Sequence, residues 1–430
     1  MKNLQVNGMN IILWLAACLI IIIAIFLGAV PDNIIGALAI CFSIGSIALF
    51  VGDRIPIWKT YFGGGVLLTL FVGSSAKYFG WLPESAINTL SNFIGPQGFL
   101  DLFIIILLVG SIMDVDRKML LSAVSRFVPC VLAALAGGAI LGLAVGMLIG
   151  KAPAEIITFY VLPILSGGSG AGAIPLGQMY TSITGNDFNE YISISMAVLG
   201  LGDILAIVVA TIMGKVLSKN EKLCGNGKLM KNKENEIDAE AETYKPTMGD
   251  LANCLVIIFS IYMFSMIISR HILPTIAGAP IHPFAYAVII AIILKMTNVI
   301  PENITSALIH TQEYVVAAFI VVIMFCCGAA YTDLGTVISS VTDPATILLC
   351  LAVVCGAALG AGLFGQLVGL YPYEASVTAG LCAANAGGAG DIAILSSCKL
   401  MNLLPYSQIS NRIGNALILI IGSFAFAALF

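Results

Sequence analysis

Charge is scarce in this chain: 19 Lys and Arg and 23 Asp and Glu make up 10% of 430 residues, where a soluble domain carries about 25%. So little charge cannot cover a water-soluble fold of this length, which excludes a soluble enzyme. Histidine is rarer still. His271, His282 and His310 are the only three, they lie at expected helix ends, and no HExxH or other paired arrangement supports a membrane enzyme with its own active site. Eleven cysteines are present but without any CxxC or Cys/His spacing; scattered singly, apart from the adjacent Cys326 and Cys327, they read as buried free thiols. A net charge of −4 and a pI near 5.4 leave no basic surface for nucleic acid. Neither a cofactor motif nor a catalytic constellation is found.

What is abundant is hydrocarbon. Hydrophobic residues make up 59% of the chain and the mean hydropathy is +1.03. Apolar runs of about 20 residues, each able to cross roughly 30 Å of bilayer, recur along the whole length. The pattern predicts an all-α polytopic membrane protein with eleven spans, at about 11–30, 34–51, 61–79, 99–113, 127–149, 193–216, 251–270, 283–300, 313–330, 346–369 and 413–430. The first run is longer than a signal-peptide core and has no small-residue cleavage site, so residues 1–30 read as an extra, retained N-terminal helix. Basic residues follow the even-numbered spans: Arg54 and Lys59, Arg117 and Lys118, and Lys215 to Lys245. The positive-inside rule then places the N-terminus in the cytoplasm and the C-terminus outside.

One long polar stretch, within 217–248, reads as a flexible cytoplasmic connector. It separates two halves, 31–216 and 249–430, of five spans each. In each half an interrupted segment lies between the fourth and fifth spans: "LPILSGGSGAGAIPLGQMY" at 162–180 and "CAANAGGAGDIAILSS" at 382–397. Both contain Gly-Gly-small-Gly followed by an Ala-Ile step. An odd number of spans per half makes the second half start from the opposite face, the arithmetic of an inverted repeat.

Glycine costs about 1 kcal/mol relative to alanine in a helix interior, so a glycine cluster predicts a break. Broken backbone within a bilayer is tolerated only where protein or a watery cavity satisfies it, which predicts two oppositely oriented re-entrant hairpins. Close helix packing is the competing explanation for small residues; two copies at equivalent positions, each beside polar residues, favour a site. The amides around Gly168, Ser169, Gly170, Gly387 and Gly388 would attract a carboxylate, and Asn385 with Asp391 could hold a small cation. Asp203, well inside the sixth span, is a further ion or proton candidate, and Asp114 or Asp116 another; for most of the 114–118 turn a solvated helix end is the simpler reading.

Three stretches carry a resemblance: "GSIMDVDRKML" at 110–120, "GGSGAGAIPLGQMYTSITG" at 167–185 and "ANAGGAGDIAILSSCKLMNLLPYSQISNRIG" at 384–414. They resemble the 2-hydroxycarboxylate transporter family, which includes sodium-coupled citrate and malate symporters, and the likeness spans nearly the whole chain. The resemblance implies a homodimer in the bacterial cytoplasmic membrane, in which one domain of each protomer carries substrate by rigid-body, elevator-like movement. It also implies that the arginine of a "QISxRxGG" block, here Arg412, contacts a substrate carboxylate. Arg412 is expected at the cytoplasmic start of the last span, where a guanidinium can grip a carboxylate in bidentate fashion.

Two departures bear on substrate. Citrate-transporting members have an arginine before the Gly-Gly of the second segment, where this chain has Ala386, and Asn415 replaces the second glycine after Arg412. A tricarboxylate held by one arginine would leave carboxylates unpaired, at several kcal/mol. The expected function is therefore sodium-coupled symport of a small 2-hydroxycarboxylate, malate favoured over citrate. A proton-coupled or exchanging carrier of monocarboxylates such as lactate, and the membrane subunit of an ion-pumping decarboxylase, are the alternatives.

Overall fold

The computed structural model describes residues 5–6, 8–56, 64–115, 126–217, 220, 222–231, 244–273, 275–276, 279–385 and 388–430. Among these the protein is helical, apart from two hairpins of two-residue strands, Gln5–Val6 with Met9–Asn10 and Thr275–Ile276 with Ala279–Pro280. Seven helices are singly long and apolar enough to cross a membrane: Ile34–Gly52, Phe127–Leu148, Phe188–Leu217, Met248–Ile272, Glu302–Tyr331, Pro344–Leu367 and Met401–Leu429. The other four expected spans contain the shorter helices Ile11–Phe26, Gly64–Tyr78, Phe99–Met113 and Pro283–Thr297. At 1.5 Å per residue these reach only about 22–24 Å. The first and last of them stop where Gly28 (φ 66°) and Asn298 (φ 55°) turn the chain left-handed, short of the expected ends at 30 and 300.

Local chemistry sets the other boundaries. The Met248–Ile272 helix opens with a capping box, Asp250 N–H donating to Thr247 Oγ1 at 3.2 Å and Thr247 N–H to Asp250 Oδ2 at 2.9 Å. Asp343 accepts from the Ala345 and Thr346 amides ahead of Pro344, a favoured first helical residue. Two short helices were not expected. Glu84–Ile94 turns Ala86, Leu90, Phe93 and Ile94 into the protein and bends by 44° into Phe99–Met113; Leu334–Thr342 buries Val337.

The chain divides into two compact units. The first comprises Met1–Phe103 with Val316–Ile338. Its helices approach closely through glycines: a Cβ on Gly65 would stand 2.1 Å from the Leu49 carbonyl oxygen, and one on Gly328 2.1 Å from that of Leu70. Lys77 is satisfied inside this unit by donating to the Ala330 carbonyl at 2.9 Å.

The second unit comprises Ile104–Val315 with Ser339–Phe430. Its centre is the crossing of Phe127–Leu148 over Pro344–Leu367. The contact is reciprocal: a Cβ on Gly137 would lie 2.3 Å from the Gly356 carbonyl oxygen, and one on Gly356 2.3 Å from that of Gly137. Small residues here let the two backbones touch, as in membrane helix packing generally. Both interrupted segments belong to this unit.

The expectation of a flexible connector over 217–248 meets folded chain in its first part. Residues 222–231 are folded against the chain at 369–374, for example through the Tyr371 amide donating to Leu229 O at 2.9 Å. Backbone pairing with a partner 140 residues away overrides the local polar composition. Residues 232–243 lie outside the described residues.

Candidate functional site

The two interrupted segments have the same internal order. The first starts at Pro153, widens at Ile157–Val161, and continues to Ile164; the second starts at Pro372, widens at Ser376–Leu381, and continues to Ala384. Each then breaks and resumes as a helix, through Ile174–Thr184 and Gly388–Cys398. In the first, Gly167 (φ 65°) and Gly168 (φ 142°, ψ 162°) make the break. The second of these conformations is open essentially only to glycine. Ser169 follows, buried, at the start of the resumed helix, so its amide and that of Gly170 are among the first donors, which have no partner within the helix. In the second segment Ala386 and Gly387 lie outside the described residues.

The last helix touches both breaks. Asn415, 7% exposed, packs its amide oxygen against Gly167, where a Cβ would stand 2.4 Å away. One turn earlier, Asn411 donates its Nδ2 to Asp391 Oδ2 at 2.6 Å, while Asn385 donates to Asp391 Oδ1 at 2.7 Å. Asp391 and Asn385 are 1% and 0% exposed. Asp203, also 1% exposed, lies beside them: a Cβ on Gly390 would meet Asp203 Oδ1 at 2.5 Å and Asn385 Cβ at 3.0 Å. Two acids and two amides thus occupy one buried place, and the amide oxygens of Asn411 and Asn415 have no hydrogen-bond partner among the described residues. A cluster of hard oxygen acceptors with a carboxylate at its centre is suited to a small cation or a proton.

Arg412 lies between those two asparagines. The helix that carries it starts at Leu404, with Pro405 in its first turn, so Arg412 is inside the helix and not at its start as the sequence suggested. The polar "YSQISN" stretch is helix-competent once it packs against protein; hydropathy alone started the span too late. Arg412 forms an ion pair with Asp114 across the second unit, each side chain 26% exposed. Asp114 therefore stands on the arginine, and Asp116 lies outside the described residues.

The structure brings together Asn385, Asp391 and Asp203, sets Asn415 against the Gly167–Gly168 break, and pairs Arg412 with Asp114. Sequence reasoning missed Asn411 and Gly390. The signal was present: "NRIGN" spaces two amides by four residues on one helical face, flanking the arginine.

Comparison with known proteins identifies the family. The 2-hydroxycarboxylate transporter family profile matches residues 6–424. The citrate/sodium symporter of Salmonella typhimurium is 34% identical over 423 residues, 98% of this chain and 95% of that protein. The citrate/sodium symporter of Klebsiella pneumoniae is 35% identical over 422 residues, 98% of this chain and 94% of that one. The malate transporter MleP of Lactococcus lactis subsp. lactis is 31% identical over 425 residues, covering 98% and 97%. These relatives are transporters and not enzymes, and this multi-pass membrane chain belongs to the 2-hydroxycarboxylate transporter family.

Proposed function

We propose that the protein is a secondary active transporter that couples inward sodium flow to uptake of a small 2-hydroxycarboxylate, malate in preference to citrate. The observation that carries the reading is Arg412. It is the one guanidinium on the helix that touches both breaks, and it is paired with Asp114. A substrate carboxylate would displace Asp114 and accept both arms of the fork. The amides of Ser169 and Gly170, with Asn415, Gly168, Gly387 and Gly388, would close around the rest of the substrate. Asp391, Asn385, Asn411 and Asp203 would hold sodium, with Asn411 and Asn385 turning their carbonyl oxygens toward the ion.

Sodium as coupling ion is favoured by the names of the Salmonella and Klebsiella symporters. Malate over citrate rests on Ala386, which removes a second cation from the site. The division into two repeats after an extra first helix, with opposed re-entrant hairpins, is supported by the reciprocal Gly137–Gly356 crossing and by the common order of the interrupted segments. On that plan the protein is a homodimer in the bacterial inner membrane, N-terminus inside and C-terminus outside, moving substrate by elevator-like alternating access.

Asp203, an extra buried acid beside the cation cluster, favours one second reading: proton-coupled uptake or exchange of a monocarboxylate such as lactate. Counterflow in liposomes, with labelled malate and unlabelled citrate, lactate and succinate competing, separates the substrates. Malate should compete best, and uptake should collapse with the sodium gradient. Uptake that survives loss of sodium and collapses only with the proton gradient would refute the leading reading.

A further inference from the structure

A piece of the connector is seated on the base of the second interrupted segment. Leu223 O accepts from the Tyr373 amide at 3.0 Å, Leu229 O from the Tyr371 amide at 2.9 Å, and Lys231 N–H donates to Gly369 O at 3.1 Å. The same piece reaches the far leg, where Asn402 Nδ2 donates to Gly227 O at 2.6 Å. Between these contacts Asn226 (φ 51°) and Gly227 (φ 89°) turn left-handed. The turn points the Gly225 and Gly227 amides at one atom, Glu374 Oε1, at 2.8 and 3.2 Å, and Cys224 Sγ approaches the same oxygen at 3.5 Å. Converging amides of this kind form an anion-binding hollow.

Glu374 is 0% exposed, forms no ion pair among the described residues, and its Oε2 is buried without a hydrogen-bond partner among them. Burying an acid in this way is unfavourable unless the hollow holds it. The hollow fits closely: a Cβ on Gly225 would stand 2.3 Å from both the Lys228 carbonyl oxygen and the Tyr371 ring. Glu155, the acid at the equivalent place in the first segment, pairs instead with its neighbour Lys151 at 2.5 Å. The device therefore serves the second segment.

We propose that residues 223–231 are a strap that holds the two legs of the second segment at a fixed separation, with Glu374 as its positioning residue, and so sets where Asn385 and Asp391 stand. The proposal rests on the reading of that segment as part of the transport site. Cys224, 5% exposed, is a native reporter of the strap. In full-length protein with the other ten cysteines replaced, Glu374→Ala should speed modification of Cys224 by a hydrophilic maleimide at least tenfold. In liposomes the same variant should raise the half-saturation concentration for sodium or malate several-fold, with a smaller change in maximal rate. Glu374→Gln keeps an acceptor for the two amides and should fall between wild type and Glu374→Ala in both assays. If Glu374→Ala does not accumulate, Asn402→Ala, which removes one exposed donor, should give the same pair of effects at about twofold or more.

Wild-type Cys224 reacting as fast as in Glu374→Ala overturns the strap. Release of Cys224 with both half-saturation values unmoved overturns its positioning role. Arg412→Lys measured alongside tells the two readings apart: if it shifts malate half-saturation and Glu374→Ala moves neither the malate nor the sodium value, the strap fails and the site stands; if Arg412→Lys leaves malate half-saturation unmoved, the site reading fails.

Discussion

Replacing Arg412 tests the site through its competition with Asp114. Two terms of opposite sign enter. A substrate carboxylate accepting charge-assisted hydrogen bonds from the guanidinium gains about 1.5–3 kcal/mol. The ion pair surrendered to bind it is worth less, because each partner is 26% exposed and screened by water; such pairs contribute about 0.2–1 kcal/mol. The net, roughly 0.5–3 kcal/mol, corresponds to about a twofold to hundredfold rise in malate half-saturation for Arg412→Ala, at 1.4 kcal/mol per factor of ten. Arg412→Lys keeps the charge and loses the planar fork, and should raise it several-fold. Asp114→Asn should act in the opposite direction, lowering half-saturation by up to about fivefold because the arginine no longer has a resident partner. The double variant should show little of that gain, since the pair it relieves is already weakened. Initial rates of labelled malate uptake into liposomes at saturating sodium read all four proteins. Unaltered affinity in Arg412→Lys would refute the reasoning, and so would Asp114→Asn raising the malate half-saturation or moving only that for sodium.

Asp203→Asn should impair gradient-driven accumulation more than substrate exchange, and Gly390→Ala, whose Cβ would press on the Asp203 carboxylate at 2.5 Å, should show the same bias; full activity in both assays would reduce Asp203 to a tolerated polar residue. Gly356→Ala should lower the thermal unfolding temperature in detergent through about 1–3 kcal/mol of overpacking, whereas Gly249→Ala, 3.7 Å from its nearest neighbour, should not; equal melting of the two would show that the crossing yields freely. At Asp343 the Thr346 hydroxyl and then the Ala345 amide hold the carboxyl below its usual 3.8, so its stabilising effect is complete above that value and is lost as pH falls through the folded value. Asp343→Asn retains an N-cap and should flatten that part of an acid unfolding curve; an unchanged acid limb would count against the cap.

The parts legible in the sequence were those written in local pattern. Long apolar runs marked the helices, and the doubled glycines marked the two breaks because only glycine adopts what Gly168 requires. Asn385, Asp391 and Asp203 were visible as polar residues in hydrocarbon, and the structure gathers them into one place. What was not legible depends on partners far along the chain. Nothing in "CGNG" announces an anion hollow until Glu374, 149 residues beyond Gly225, supplies the anion. Asp114 read as a helix-end acid because its arginine lies almost 300 residues away. Glu84–Ile94 and Leu334–Thr342 were missed for a different reason: helices of 11 and 9 residues with mixed faces leave no run for hydropathy to find.

The Gly137–Gly356 crossing also bears on how the protein will survive purification. At its centre the contact is backbone against backbone, which leaves little room between the two helices for a detergent tail. The Met248–Ile272 helix is the opposite case, with most of its apolar length unburied. Delipidation should therefore begin at that helix, and long-chain detergents or added phospholipid will matter for it well before the crossing is disturbed.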